Sequence, residues 1–416
     1  MALTVINASL DGKRINLRAE GATIQALGPD VAAQPGDDVI DAAGRAIVPG
    51  LVNGHTHAAM TLFRSYASDL QLQEWLEHYI WPAEARLAAE DVYWGTRLAA
   101  IEMVRNGTTR FFDMYWHPEA VARAAADTGI RATVGAPLFD KGAVAGIAGL
   151  KEAALESLAA LAGRGPLITA SLTPHSIYMV SEPSLAWVAE QARAHDVPVH
   201  LHFCETIREV DEWMATHDER PTPYLDRLGL LGPTTLLAHG CVMEPDDYAL
   251  VAERGATIVT NPVSNLKLAS GRIFPYAEAA RHGVHLGLGT DGPSSNNSLD
   301  LFADLKVFAL IQKHAAYDPT VLPAAEALAI AQGRRSPLLG GTPIEVGQPA
   351  DFLLIDTDLP NLTPGDLTSN LVYSSNGSVV DSTVVAGTPV MRHRHIEGAE
   401  EALAEVRARA ERLWAR

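Results

Sequence analysis

From Ala46 to Thr290 the chain repeats one pattern, a short apolar run of strand length followed by a stretch of helical period. The strand-like runs fall near 46–53, 108–115, 131–138, 167–175, 198–204, 234–239, 255–261 and 284–290. Helix-like patterns between them include Ala89 to Arg105, Pro118 to Thr128, Val144 to Ala162, Glu182 to His195 and Pro275 to His282. Short apolar runs bounded by turn residues are how strands covered on both faces read, and their alternation with helices predicts a parallel sheet. About eight such units over roughly 250 to 300 residues fit a (β/α)8 TIM barrel better than a doubly wound sheet. No G-x-G-x-x-G follows the first strand, and no Walker A loop occurs.

Both ends have a different texture. Leu3 to Ala8, Ile15 to Leu17 and Thr23 to Gly28 read as strands, as do Pro349 to Asp356 and a hairpin over Ser382 to Val390. We expect residues 1–48 and 343–416 to build one small β-sandwich domain beside a barrel at 49–342, whose last helix is Leu322 to Gly333. A helix over Ala399 to Trp414 follows, its charges read as a solvated face.

The net charge of -18 argues against a nucleic-acid partner or an anionic membrane surface, both of which need basic patches. With two cysteines, Cys204 and Cys241, neither a disulfide framework nor a Cys-based zinc site is expected. The N-terminus lacks a basic region with an apolar core, and no run is long enough to span a bilayer, so the chain reads as cytoplasmic. Nothing in it fixes the oligomeric state, and a homo-oligomer is compatible with it.

In such a barrel, chemistry sits where the strands run out. Here the first ends in Gly54-His55-Thr56-His57, the fourth in Thr173-Pro174-His175, and the fifth is Val199-His200-Leu201-His202-Phe203-Cys204-Glu205. The sixth ends in His239 and the eighth in Thr290-Asp291. Ionisable groups at the ends of apolar strands are costly to bury unless they face a site. His55 and His57, two apart, project from one face of a strand. His202 lies nearer the rim than His200 and is the better third ligand. Asp291 adds a carboxylate from the strand that neighbours the first on closure. Three imidazoles, one carboxylate and a water suit a catalytic zinc ion. Glu205, three residues after His202, can stand beside the ion and carry a proton, and His239 can orient or deprotonate the water.

Together these residues resemble the amidohydrolase superfamily and, more narrowly, the 5′-methylthioadenosine/S-adenosylhomocysteine deaminases. The likeness runs through Pro49 to His57, Met60, Arg64, Asp69-Leu70 to Trp75-Leu76, Pro174-His175-Ser176, His202 to Glu205 and Ala238-His239. It continues in Asn261-Pro262-Val263-Ser264-Asn265-Leu266-Lys267-Leu268 and Gly289-Thr290-Asp291-Gly292. It implies that His55, His57, His202 and Asp291 hold one divalent ion, most simply zinc, and that Glu205, His239 and Asp291 are catalytic. It also implies substrate contacts from Glu84, His175, Glu205 and Asp291. Glu84 as a ribose-hydroxyl binder rests on the resemblance alone. Residues 167–175 contain no lysine to bridge two metals, which favours a single ion.

The implied reaction is hydrolytic deamination. Water activated at the ion adds to C6 of an adenine ring, Glu205 protonates N1, and ammonia leaves a 6-oxo purine. The Cys-rich zinc site of cytidine deaminases is not available to this chain. Relatives accepting S-adenosylhomocysteine resemble one another in an arginine after strand three. Here Ala136 to Ala143 has only Lys141, and the next arginine is Arg164. A lysine cannot make the bidentate pair, so 5′-methylthioadenosine or adenosine-like nucleosides are the expected substrates. The competing readings are deaminases of guanine or 6-aminodeoxyfutalosine, triazine hydrolases, and a non-catalytic assembly protein. Glu205 counts against the triazine group, and the intact ligand set counts against the last.

Overall fold

The computed structural model describes residues 2–141 and 150–415. One mixed sheet is built from both ends of the chain. Ala2–Leu10 pairs antiparallel with Lys13–Glu20, which pairs with Thr23–Gly28. Asp38–Asp41, not anticipated from the sequence, lies parallel to the first strand. Phe352–Asp356 joins through Arg45–Pro49, and Val380–Val385 and Thr388–Met391 form the expected hairpin. Its turn, Ala386-Gly387, has φ of 49° and 74°, a pair of left-handed residues whose twist matches that of the flanking strands. Leu3, Val5, Leu17, Ile24, Phe352 and Val384 make a separate core for this sheet.

The apolar run 46–53, expected as one strand, is two. Arg45–Pro49 belongs to the terminal sheet and Leu51–Thr56 pairs in parallel with Thr108–Met114. The break falls at Gly50, where a Cβ would sit 2.3 Å from the Thr109 side chain. Ile47 therefore packs in the terminal core, whereas Val52 packs with Phe112, Leu236, Val259 and Leu339.

From Leu51 onward the strands are parallel and follow chain order. Thr108–Met114 pairs with Arg131–Gly135, which pairs with Ile168–Ala170, and Pro137–Leu138 pairs with Thr173–Pro174. Bridges Leu172 to Val199 and Ser176 to His202 lead to Val199–Phe203, then Thr235–His239, Thr257–Thr260 and His285–Leu288. The last position meets the first: Asn53 Nδ2 donates to Thr290 Oγ1 at 2.7 Å, and the Asp291 N–H to the His55 carbonyl at 3.0 Å. Several of these strands are buried throughout, as strands covered on both faces must be.

Helices Ala89–Arg105, Pro118–Thr128 and Glu182–His195 match expectation, and Tyr276–Arg281 nearly so. The helix expected from Val144 is described from Leu150 to Leu161, its first residues lying outside the described ones. The helix expected at Leu322 to Gly333 is Ala324–Ala331, and Leu301–Ala316 was not anticipated. Among the described residues no helix is long and apolar enough to cross a membrane.

The helix Ala399–Trp414 is more than a solvated face. Arg409 and Arg412 both bond Asp91 Oδ1, at 2.9 and 2.5 Å, and Asp91 is 1% exposed. The other Asp91 oxygen accepts the Ala88 N–H at 2.9 Å, starting the helix Ala89–Arg105. The Trp414 indole donates to the Leu62 carbonyl at 2.9 Å, in the turn directly after His57. Asp91→Ala is expected to cost about 1–3 kcal/mol, the combined range for a lost helix cap and a partly buried ion-pair partner. A urea midpoint unchanged from wild type would refute that assignment.

Candidate metal centre and catalytic cleft

The strand ends converge. Three of them turn through left-handed backbone at non-glycine residues: Cys204 (φ 48°), His239 (φ 80°) and Asp291 (φ 59°). Such conformations cost energy and collect where a side chain must be aimed.

His57 donates its Nδ1–H to the Met114 carbonyl at 2.7 Å, and His202 donates its own to the His175 carbonyl at 2.9 Å. Each ring therefore turns its Nε2 inward, and those two nitrogens face each other at 3.2 Å. His55 Nδ1 meets His200 Nε2 at 2.7 Å, placing His200 deeper, as its position on the strand predicts. That leaves His55 Nε2 buried without a hydrogen-bond partner among the described residues. Asp291 Oδ1 lies 3.4 Å from His55 Nε2 and 3.3 Å from His57 Nε2.

Burial lowers His55 to about 4 and His202 well below the usual imidazole range, so both are held in the neutral form that ligates metals. Burial acts on His57 in the same sense, but the Asp291 carboxylate outweighs it and raises that ring to about 9. Three imidazole Nε2 atoms and a carboxylate converge on one point, and the proton that Asp291 holds on His57 is the positive charge a bound cation would replace. The donor set fits a divalent cation. Ligand atoms of His55, His57 and Asp291 lie within 4.8 Å of one another, as do those of His55, His202 and His239.

Glu205 and His239 flank this point, with His239 Nε2 3.9 Å from Glu205 Oε2. Burial raises the Glu205 carboxyl above its ordinary value, and the Asp291 charge adds to the rise while His239 opposes it. The Glu205 turn is fixed by Glu209, which accepts the Cys204 and Glu205 N–H groups at 3.2 and 2.8 Å.

Above these groups lies a cleft of about 720 Å³, partly open to solvent. Its far wall comes from the consecutive turns Leu72–Trp75, Leu76–Ile80 and Trp81–Glu84, the middle one a widened π-helical turn of the kind common at functional sites. Glu84 faces the cleft, and burial raises its carboxyl. His175 stands over His202 with ring centroids 4.5 Å apart and packs on Phe139 at 4.7 Å. Every residue expected at the site from the sequence reaches this one region. Among the described residues no lysine or arginine lines the cleft, and residues 142–149 carry no charged side chain. Lys141 lines a neighbouring cavity instead, its Nζ 3.5 Å from the Ile177 carbonyl.

The amidohydrolase family model matches residues 46–390, from the first of these strands to the closing hairpin. The chain belongs to the amidohydrolase family. Among relatives of this amidohydrolase, a 5′-deoxyadenosine deaminase of Methanoregula boonei is 45% identical over 383 residues, covering 90% of this chain and 86% of that one. A 5-methylthioadenosine/S-adenosylhomocysteine deaminase of Moorella thermoacetica is 42% identical, covering 90% of this chain and 88% of that one. Among solved structures, an adenosine deaminase from Xanthomonas campestris with bound zinc superposes with a TM-score of 0.93 at 33% identity, covering 99% and 98% of the two chains.

Several further residues that bound this site are given no role by the sequence reading. Tyr115 and Trp116 hold Glu84, the hydroxyl donating at 2.7 Å and the indole at 3.3 Å. Both directly follow the strand Thr108–Met114, so the strand-end rule would have found them. Ser264 and Ser295 donate to Asp291 Oδ2 at 2.6 and 2.9 Å, leaving Oδ1 toward the imidazoles. Asp113 takes the Ala58 N–H at 2.6 Å and fixes the turn after His57.

Proposed function

We propose that this chain is a metal-dependent aminohydrolase that removes the 6-amino group of adenine nucleosides as ammonia. Substrates with a small uncharged 5′ group, such as 5′-methylthioadenosine and 5′-deoxyadenosine, are preferred over S-adenosylhomocysteine. The observation that carries this reading is the placement of Glu205 and His239 3.9 Å apart beside the inward-facing imidazoles, in a chain 45% identical to a 5′-deoxyadenosine deaminase.

On this reading His55, His57, His202 and Asp291 would hold one divalent ion, zinc. The absence of lysine from 167–175 supports one ion rather than two. When bound, such an ion supplies a Lewis acid that lowers the pKa of water to near neutrality. Glu205, whose carboxyl burial shifts toward the protonated form, gives its proton to ring N1 and makes C6 electrophilic. His239 takes a proton at Nε2 from the attacking water. Glu205, now a carboxylate, takes the hydroxyl proton of the C6 adduct and passes it to the amine, which leaves as ammonia, and the proton held on His239 restores the Glu205 acid. Glu84, oriented by Tyr115 and Trp116, accepts hydrogen bonds from the ribose hydroxyls, and His175 borders the substrate.

For the fold, the pairing of consecutive parallel strands and the bonds joining Asn53 to Thr290 support a closed (β/α)8 barrel over 49–342. Residues 1–48 and 343–416 then form the small β-sandwich domain.

The 5′ preference follows from a cleft without lysine or arginine among its described lining residues, in which a substrate carboxylate would be desolvated without a partner. Ammonia release by zinc-loaded protein should give kcat/KM for 5′-methylthioadenosine and 5′-deoxyadenosine at least ~10-fold above that for S-adenosylhomocysteine, the effect of an unpaired buried charge being 1.4 kcal/mol or more. A preference for S-adenosylhomocysteine would refute the selectivity, and no release from any adenine nucleoside would refute the activity.

A further inference from the structure

The stretch Asn261-Pro262-Val263-Ser264-Asn265 leads from the strand Thr257–Thr260 into the helix Pro262–Leu268. Its first turn closes with the Asn265 N–H on the Asn261 carbonyl at 2.9 Å, which sets Ser264 and Asn265 toward two different groups of the site. Ser264 reaches Asp291, and Asn265 Oδ1 lies 2.8 Å from His239 Nδ1.

The orientation of the Asn265 amide is fixed by its other end. Its Nδ2 lies 2.9 Å from Cys241 Sγ, and that thiol points at the His239 carbonyl at 3.9 Å. The thiol is buried, and burial pushes its pKa up, so it keeps its hydrogen and gives it to the carbonyl. The sulfur then accepts the amide N–H, and the amide oxygen is left for the imidazole. A carbonyl oxygen against a ring nitrogen requires that nitrogen to carry the hydrogen. Asn261 Nδ2 stands off from the same nitrogen at 3.3 Å, and the shorter Asn265 contact decides the direction.

We infer that Asn265 is a positioning residue that holds His239 in the Nδ1–H tautomer, turning an unprotonated Nε2 toward Glu205 and the cleft. The buried His239 Nε2 has no hydrogen-bond partner among the described residues, so no other contact there sets the tautomer. In the opposite tautomer Nε2 would present a hydrogen and could not accept a proton from water. The catalytic consequence rests on the deaminase reading, whereas the tautomer does not.

NMR of zinc-loaded protein labelled with 15N-histidine reads the tautomer directly, and His239 should show a protonated Nδ1 and a bare Nε2. Asn265→Leu should lose that preference and lower kcat roughly 100-fold with KM changed less than ~3-fold, as expected when a general base is misoriented. Asn265→Asp keeps the acceptor and should retain the Nδ1–H tautomer and kcat within ~10-fold of wild type. A hydrogen on Nε2 in wild type overturns the inference. So does an Asn265→Leu protein with wild-type kcat, or an Asn265→Asp protein as impaired as Asn265→Leu. If Asn265→Leu does not fold, the wild-type spectrum and Asn265→Asp still decide. Absence of ammonia release in wild type would sink the deaminase reading while leaving the spectrum to judge the tautomer.

Discussion

Glu205→Gln should lose nearly all turnover and keep its metal. The amide has the shape of the acid but no proton to give, and the turn that carries it is held by Glu209 through backbone N–H groups that the substitution leaves in place. The carboxyl belongs to a residue only 7% exposed, and burial shifts it toward the protonated form an acid catalyst needs. Positioned acid–base groups contribute roughly 10²–10⁴-fold, and a fall in kcat of that size is expected with KM nearly unchanged. Metal analysis of the same preparation should still find one zinc per chain, because Glu205 is not among the inward-facing ligand candidates. A variant that kept its turnover would show that the proton donor lies elsewhere, and one that lost its zinc would place Glu205 in the ligand set.

Chelation should abolish activity and also soften the fold. Without a cation, His57 Nε2 and His202 Nε2 face each other at 3.2 Å and Asp291 sits against two imidazoles in a buried pocket. An ion present at about 1,000 times its Kd stabilises the native state by about 4 kcal/mol through mass action. At about 2.1 cal/mol/K per residue, that corresponds to a drop in Tm on the order of 5 °C for a chain of 416 residues when the ion is removed. Adding back one equivalent of zinc should restore both activity and Tm. An unchanged Tm after complete removal would mean that the pocket is not built around a cation.

The strand-end rule singles out the imidazoles, Glu205 and Asp291, which the structure gathers in one region, because each interrupts an apolar run with an ionisable group, a signal local to the sequence. Other parts are not local. The run Ala46 to Val52 is uniformly apolar, and only the close approach of Thr109 to Gly50 reveals that it serves two sheets. Ser264 and Asn265 lie in a stretch that carries the resemblance, but only tertiary contacts give them a role by placing them against Asp291 and His239. Arg409 and Arg412 read as solvent charges because nothing near them in sequence hints at Asp91, 318 and 321 residues away. Glu84 could be read as a helix-start carboxylate or as a ligand for ribose, and spacing alone could not separate the two.

The bonds between the first and last of the parallel strands also set a schedule. Thr56 and Asp291, joined at 2.9 Å, are 235 residues apart in the chain. At about 5–20 residues per second, a ribosome adding residues in order needs on the order of tens of seconds between His57 and Asp291. During that interval the paired imidazoles have left the ribosome without the carboxylate that completes them, and Leu51–Thr56 has a free edge. A slowed codon stretch just before Asp291 should therefore lower the yield of active enzyme more than the same pause placed after it.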